Sequence, residues 1–339
     1  MPGLIEHTEH YLPIHVFLAG ELDAVNKILR RQLASDLPAV NELCRHVARY
    51  QGKMLRPTLT LLCGLAARPG EADQAPVPIH SHRVLAAVSE IIHMATLVHD
   101  DVLDESQMRR NAATVNHLRG NEMAVLLGDY LISNAFHLCS TLDRPDINRR
   151  IGETTNELCS GELLQVHHRD NWSIDEATYF AIIERKTASL ISLCCRLGAE
   201  EAGAKPEVAE ALATYGTRMG VAFQIQDDLL DLVGEERVVG KSLGRDLEKG
   251  KLTLPMILFF AAAQPARRAE MLSALADRDN GASPARVRSL LLSSGAVSSA
   301  HEVASNLVAQ ARHNLSALAE SPARQLLDDL ACAVITRSS

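Results

Sequence analysis

The chain contains two copies of one acidic pattern, Asp-Asp-x-x-Asp, at widely separated positions. The first copy is residues 100–104 (DDVLD) and the second is residues 227–231 (DDLLD). Each lies in an otherwise apolar stretch, residues 91–103 and 221–233 respectively. In a helix, residues i and i+4 share one face about one turn apart. Carboxylates this close repel one another and are costly to desolvate without a cation, so the two copies predict metal ions with an anion bound through them.

The ligand chemistry of these motifs favours a hard divalent cation. Carboxylate oxygens with no His or Cys at ligand spacing favour Mg²⁺ over zinc or copper. Mg²⁺ keeps several waters and binds substrate phosphates, so metal between two acidic faces would clamp a diphosphate. Arg suits bidentate phosphate contacts and Lys supplies mobile positive charge. The basic residues that lie near the motifs or in glycine-containing segments around them are Lys53, Arg56, Arg109, Arg110, Lys186, Lys241 and Lys251.

The segments that must position these residues are predicted to be helical almost throughout. Apolar residues recur with helical spacing in ten segments: 21–33, 40–49, 59–67, 82–103, 122–142, 147–168, 175–197, 206–233, 252–263 and 299–320. Aromatic residues make up only 4% while Ala and Leu abound, which favours helix packing over a β-sandwich. The pattern Ser173-x-x-Glu176 fits a capping box and predicts a helix that starts just after Ser173.

No linker is long or polar enough to divide the chain, so we expect one all-α domain over residues 1–339. Its helices would form a bundle with a central cavity into which both acidic motifs project. Residues of about 50–260 carry the motifs, and C-terminal helices within 261–339 would complete the shell.

Composition excludes some classes of protein. The formal net charge is −8, so no basic stripe is available to neutralise a nucleic-acid backbone. Residues 1–20 lack a basic segment followed by an apolar core, and the seven cysteines are odd in number with no C-x-x-C. The longest apolar run, 252–263, contains Pro255 and is too short to span a bilayer. We therefore expect a cytoplasmic protein with reduced thiols and no stable membrane insertion.

Several segments, in order along the chain, resemble those of the trans-isoprenyl diphosphate synthases of the head-to-tail polyprenyl type. They are GKMLRP (52–57), EIIHMATLVHDDVLDESQMRR (90–110), GDYL (128–131), CSGELLQV (159–166), ERKTASL (184–190), GVAFQIQDDLLDLVG (220–234) and GKSLGRDLEKGKLTLP (240–255). Within that family, the chain resembles the long-chain members, such as octaprenyl and solanesyl diphosphate synthases. Two departures are Asn111-Ala112-Ala113-Thr114, where the family usually has a Gly and then Pro-Thr, and GKLTLP in place of GKPTLP.

The resemblance implies an isoprenoid-synthase fold, a homodimer and a prenyltransferase that uses about three Mg²⁺ ions per active site. Its substrates would be isopentenyl diphosphate and an allylic diphosphate, and its apolar product would be delivered to a membrane. The residues implied to hold Mg²⁺ are Asp100, Asp101 and Asp104 on one side, and Asp227, Asp228 and Asp231 on the other. Those implied to contact the allylic diphosphate are Arg109, Lys186 and Lys241. Those implied to hold isopentenyl diphosphate are Lys53, Arg56, His93 and Arg110. Thr187 and Gln224 would line the reacting centre, and Lys251 would close over it.

The same resemblance bears on product length. In the family, bulky side chains about one turn before the first motif block the growing chain. Here Ala95 and Thr96 are small, and Ile92 lies one further turn back. Phe136 on the next helix is a candidate floor of the tunnel, although ordinary core packing explains it equally well. We expect a product longer than geranylgeranyl diphosphate.

Four alternatives compete with this interpretation. A class I terpene cyclase shares the fold, but its second metal motif normally carries Asn, Ser or Thr, and Glu. A di-iron carboxylate bundle would use Glu90-x-x-His93, but it requires a second such element that the sequence lacks. A non-catalytic regulatory subunit of a heteromeric synthase usually loses one aspartate motif, and both are present here. A shorter-chain farnesyl or geranylgeranyl diphosphate synthase differs only in product length.

Overall fold

The computed structural model describes residues 12–50, 52–68, 80–110, 112–233, 244–276 and 283–336, and these residues are almost entirely helical. The α-helices are α1 (Leu12–Gln32), α2 (Pro38–Val47), α3 (Leu55–Ala66), α4 (His80–Leu103), α5 (Val115–Arg119), α6 (Asn121–Ser140), α7 (Pro145–His167), α8 (Glu176–Ile183), α9 (Ser189–Glu201), α10 (Pro206–Val233), α11 (Arg245–Glu248), α12 (Leu254–Ala262), α13 (Pro265–Ala276), α14 (Ser283–Ser294), α15 (Ala296–Asn314) and α16 (Pro322–Thr336). The predicted all-α class is confirmed.

Short irregular elements complete the described chain. A π-helical segment, Glu184–Ala188, separates α8 from α9, and 3₁₀ turns cover Ala48–Tyr50 and Leu315–Ala317. Strands β1 (Met108–Arg109) and β2 (Ala112–Ala113) form an antiparallel hairpin in which Arg109 pairs with Ala112. The sequence pattern did not predict this hairpin, because two-residue strands are too short to show alternation.

The helix boundary near residue 175 differs from the prediction. Helix α8 begins at Glu176, and its N-cap is Asp175, whose side chain accepts a hydrogen bond from the Thr178 backbone N–H at 2.8 Å. The prediction of a capping box that starts at Ser173 is therefore wrong. An aspartate carboxylate satisfies the free N–H groups of the first turn as well as a serine does, and it also suits the positive end of the helix dipole.

The described residues form two compact units, each made of segments that are discontinuous in sequence. The first unit comprises Met1–Asn156, Leu190–Gly216 and Asn314–Leu330. Its centre is α4, which packs against α1, α3 and α6. Residues 84–92 of α4 are all buried, which is expected of a helix surrounded by other helices. This burial fixes the orientation of α4 and hence of the first acidic motif at its C-terminal end.

The second unit comprises Glu157–Ser189, Thr217–His313 and Ala331–Ser339. In it α12 packs against α8 and α14, and α13 packs against α14. The loop before α12 is fixed by Gly250, which has a φ of +66° and whose carbonyl accepts a hydrogen bond from the Asp170 backbone N–H at 2.9 Å. A side chain at Gly250 would be strained and would also collide with the Asp170 carboxylate, so only glycine fits there. The predicted site residue Lys251 is the next residue after Gly250, so the same loop positions it.

Among the described residues, the structure has no helix with both the length and the apolar composition needed to cross a membrane.

Candidate active site

The first acidic motif lies at the C-terminal end of α4, and its three carboxylates differ in environment. Asp100 and Asp104 are partly exposed, one turn apart. Asp101 is 2% exposed and pairs with Arg109, whose Nε and Nη2 lie 2.9 and 2.8 Å from Asp101 Oδ1. Burial raises the pKa of Asp101, and the hydrogen bond from Arg109 opposes that effect. Asp101 therefore pairs with an arginine, whereas Asp100 and Asp104 are more exposed and can be reached by a cation.

The β1–β2 hairpin is what returns Arg109 to the helix end. The chain leaves α4, and the Ser106 backbone N–H donates to the Asp101 carbonyl at 2.9 Å. Asn116 donates its side-chain amide to the carbonyls of Asp101 and Ser106, both at 3.1 Å. These bonds fix the turn, so Arg109 in β1 reaches back to Asp101. The structure thus brings Arg109 to the first motif, and its contact with an allylic diphosphate stays a prediction.

A positively charged cluster surrounds His93 on α4. Burial lowers the pKa of His93 well below its ordinary value, and the charges of Arg56, Arg110 and Arg109 lower it further. The ring is therefore neutral at pH 7 among three guanidinium groups. Burial also raises the pKa of Glu90, although Arg56 and Arg110 oppose this. Lys53, the remaining residue predicted to hold isopentenyl diphosphate, is exposed just before α3.

The second acidic motif borders a cavity within the second unit. Five of the predicted site residues line it, namely Lys186, Thr187, Gln224, Asp228 and Lys251. Apolar side chains, including Ile182, Ile183 and Leu252, form other parts of the wall. Charged groups and apolar side chains therefore share one cavity.

A chain of hydrogen bonds orients Asp228 in this cavity. The Thr187 hydroxyl donates to Gln224 Oε1 at 2.8 Å, and Gln224 Nε2 donates to Asp228 Oδ1 at 2.9 Å. The Tyr179 hydroxyl donates to Asp228 Oδ2 at 2.6 Å. Both carboxylate oxygens thus have protein donors. As with Asp101, the middle aspartate of the motif is a buried acceptor, whereas Asp227 is partly exposed.

The electrostatics of the second motif favour a cation. Burial, together with the charges of Asp246 and Asp227, raises the pKa of Asp228 to about 8. The third motif residue, Asp231, is buried and accepts a hydrogen bond from the Asp246 backbone N–H at 3.0 Å. Within the described residues no three or more His, Cys, Asp or Glu side chains are arranged to hold a metal by themselves. Mg²⁺ needs only one or two protein carboxylates besides waters and phosphates, so this donor set fits it.

The site motifs agree with comparisons to known proteins. A model of the polyprenyl synthetase family matches residues 37–291. The chain belongs to the polyprenyl synthetase family. A heptaprenyl diphosphate synthase component 2 of Geobacillus stearothermophilus is 34% identical over 94% of this chain and 96% of that protein. An octaprenyl diphosphate synthase of Escherichia coli is 35% identical over 79% of this chain and 80% of that protein.

Solved structures of the family share the fold. The crystal structure of a polyprenyl synthase from Caulobacter crescentus, complexed with calcium and isoprenyl diphosphate, has a TM-score of 0.87 and 31% identity to this chain. The match covers 95% of this chain and 96% of that one. The predicted family, the prenyltransferase class and the isoprenoid-synthase fold are confirmed, and the terpene-cyclase and di-iron interpretations are set aside.

For this family member, the predicted chain-length residues lie in different environments. Ala95 is fully buried and Thr96 partly exposed on α4. Ile92 lines a separate apolar cavity in the first unit, together with Leu85 of α4 and Ile151 of α7. Phe136 of α6 does not line this cavity and lies near Gly152 of α7.

Two residues of the site were missed by the sequence analysis, and one prediction cannot be placed. Tyr179 lies outside every segment that carried the family resemblance, so no signal pointed to it. Asp246 lies inside the segment 240–255 that carried the resemblance, so its acidic side chain in that segment was a signal that could have identified it. Lys241 lies outside the described residues, so its role remains a prediction.

Proposed function

We propose that this protein condenses isopentenyl diphosphate head-to-tail with an allylic diphosphate, giving an all-trans polyprenyl diphosphate longer than geranylgeranyl diphosphate. The observation that carries the proposal is the cavity of the second unit. It combines the carboxylate of Asp228 with the cations Lys186 and Lys251 on partly apolar walls. Such a cavity suits an ionised diphosphate attached to a hydrocarbon chain.

The donor set supports Mg²⁺ as the cation, with about three ions per active site. Asp100 and Asp104 would hold it at the first motif, and Asp227 at the second. Asp101, Asp228 and Asp231 would support these ligands from buried positions. Bound Mg²⁺ would neutralise negative charge on the departing diphosphate.

The chain's own residues account for the rest of the mechanism. Arg109, Lys186 and Lys241 would stabilise the negative charge that develops as the allylic C–O bond breaks. The double bond of isopentenyl diphosphate attacks the resulting allylic cation and forms the new C–C bond. A proton is then lost to the released diphosphate. Apolar residues such as Ile182 and Leu252 would keep water away from the cation, which water would otherwise trap.

The diphosphate of isopentenyl diphosphate would bind the cluster of Arg56, His93 and Arg110, with Lys53 at its edge. Because His93 is neutral, it would donate a hydrogen bond without adding charge. Thr187 and Gln224 would face the reacting carbons, since both line the cavity and hydrogen-bond to each other. Lys251 would close over the substrate from the loop that Gly250 fixes.

Product length is supported by the small residues before the first motif. Ala95 is a buried alanine, so the side chain at this position is small. The small apolar cavity that Ile92 and Leu85 line lies further back along α4, away from Asp100, and it would have to widen to admit a growing hydrocarbon chain. Phe136 is not part of that cavity and is less suited to be its floor. The two relatives named above as heptaprenyl and octaprenyl synthases point to the same product class.

Other expectations concern assembly and location. Four large apolar side chains are exposed on α5 and α6, which supports a homodimer interface there: Leu118, Met123, Val125 and Leu126. Helices α7, α10 and α16 each contribute to both units, which supports one catalytic domain over residues 1–339. We propose a cytoplasmic enzyme that delivers its apolar product to a membrane.

The decisive experiment uses the purified chain alone with Mg²⁺ and labelled isopentenyl diphosphate. Dimethylallyl, geranyl, farnesyl and geranylgeranyl diphosphate are each supplied as primer, and the products are sized by chromatography. We expect products longer than twenty carbons. Products of only fifteen or twenty carbons would support the shorter-chain alternative. The relative from Geobacillus stearothermophilus is named as one component, so incorporation that appears only with an added partner chain would support the regulatory-subunit alternative.

A further inference from the structure

Lys186 is held by two groups on a neighbouring helix that have no role in the proposal above. Its ammonium forms an ion pair with the Glu162 carboxylate and donates a hydrogen bond to Gln165 Oε1 at 2.9 Å. Glu162 and Gln165 are three residues apart on α7, so they share one face of that helix. We infer that Glu162 and Gln165 are positioning residues that fix the ammonium of Lys186 towards the diphosphate that leaves during prenyl transfer. The inference rests on the proposed function.

The backbone around Lys186 is adapted to this contact. Lys186 lies in the π-helical segment Glu184–Ala188, and such segments often mark functional positions because the extra residue redirects side chains. On α7, Gly161 packs directly against this segment. A Cβ atom at Gly161 would lie 2.6 Å from the Lys186 backbone nitrogen and 2.8 Å from Arg185 Cβ. Only glycine lets the two helices approach so closely, and that approach brings Glu162 and Gln165 to the lysine.

Fixing this ammonium has a clear physical benefit. A lysine side chain has four rotatable bonds and loses considerable entropy when it is immobilised. Lys186 lines the cavity together with Asp228 and Lys251, and Gln165 also lines it. Both side chains of the ion pair are largely shielded, with 19% of Lys186 and 17% of Glu162 exposed. The positive charge is thus oriented before the substrate arrives, which is the condition for strong electrostatic stabilisation of a transition state.

The test moves the carboxylate that contacts Lys186 from position 162 to position 165. Glu162→Gln removes the charge while it keeps the shape, and the double variant Glu162→Gln with Gln165→Glu restores a carboxylate next to the same ammonium. Glu157→Gln is the matched control, because Glu157 is an exposed carboxylate on the same helix. Each variant is assayed for kcat and for the KM of both substrates, and its fold is checked by circular dichroism.

We expect Glu162→Gln to lower kcat by about tenfold to a hundredfold, as loss of a charge-assisted hydrogen bond would. The KM for isopentenyl diphosphate should not change, and the double variant should recover most of kcat. Glu157→Gln should match the wild type. The inference is overturned if Glu162→Gln is as active as the wild type, if it fails to fold, or if the charge swap does not restore kcat. An inactive wild-type protein would instead contradict the proposed function.

Discussion

The unequal roles of neighbouring aspartates in the first motif give a sharp prediction. Asp100→Asn and Asp101→Asn make the same change in charge one residue apart. Asp101 is buried and paired with Arg109, whereas Asp100 is partly exposed at the proposed metal site. We expect Asp101→Asn to lower the free energy of unfolding, and Asp100→Asn to abolish most activity while it leaves stability unchanged.

The magnitude follows from the geometry of the ion pair. Asp101 is 2% exposed and accepts a charge-assisted hydrogen bond from Arg109 Nε at 2.9 Å, and Arg109 Nη2 lies 2.8 Å from the same oxygen. A charge-assisted hydrogen bond contributes roughly 1.5–3 kcal/mol. Loss of one partner of a fully buried pair costs about 3–5 kcal/mol. The side chain of Arg109 is 24% exposed, so water can partly rehydrate its charge after the substitution. We therefore expect Asp101→Asn to destabilise the protein by about 2 kcal/mol.

The assay is urea denaturation followed by circular dichroism, with steady-state kinetics on the same preparations. Asp100→Asn should keep the urea midpoint of the wild type and lose about a hundredfold or more in kcat, as expected when a group that stabilises developing charge is removed. Asp101→Asn should unfold at lower urea and lose less activity, through misplacement of Arg109. Equal urea midpoints for the two variants, or a larger loss of stability in Asp100→Asn, would refute this reasoning.

Three further predictions follow from the site. Tyr179→Phe removes a buried hydrogen bond to Asp228 and should cost about 1–2 kcal/mol of unfolding free energy in urea, with a fall in kcat. Ala95→Phe should shorten the product, as sized by chromatography, because in the resembling family a bulky side chain one turn before the first motif blocks the growing chain. The pKa values of His82 and His93 are lowered from 6.5, so the unfolded chain takes up protons that the folded chain excludes. The contribution of these two histidines to stability should be fully present above pH 6.5 and should be lost progressively as the pH falls below 6.5, as followed by urea denaturation.

Each of these predictions has a control. Tyr130→Phe removes a hydroxyl from a partly exposed tyrosine on α6 and should leave the urea midpoint unchanged. For Ala95→Phe, total incorporation of isopentenyl diphosphate distinguishes a shorter product from a damaged enzyme, and an unchanged product would show that the chain grows elsewhere. For the histidine prediction, His93→Gln should reduce the loss of unfolding free energy below pH 6.5. Equal plots of unfolding free energy against pH for the variant and the wild type would contradict the assignment.

Much of the fold was predictable because helical periodicity is a local signal. The predicted helix 206–233 coincides with α10, and the prediction of 82–103 is two residues short of α4. The segment 175–197 was predicted as one helix, but it contains α8, a π-helical segment and part of α9. A π-helical turn changes the backbone hydrogen bonds without changing residue types, so periodicity does not reveal it. The helices α13, α14 and α16 were missed because the C-terminal part carries few motifs.

The sequence alone determined the chemistry: two aspartate motifs, the basic residues that follow them, and the family. Tertiary structure decided which aspartate of each motif is buried against protein donors and which is exposed. Asp101 forms an ion pair with Arg109, and Asp228 accepts hydrogen bonds from Tyr179 and Gln224. Neighbouring residues on a helix point about 100° apart, so identical letters receive different surroundings once the helix packs. Those surroundings come from segments distant in sequence, as Glu162 does for Lys186, and spacing along the chain cannot specify them.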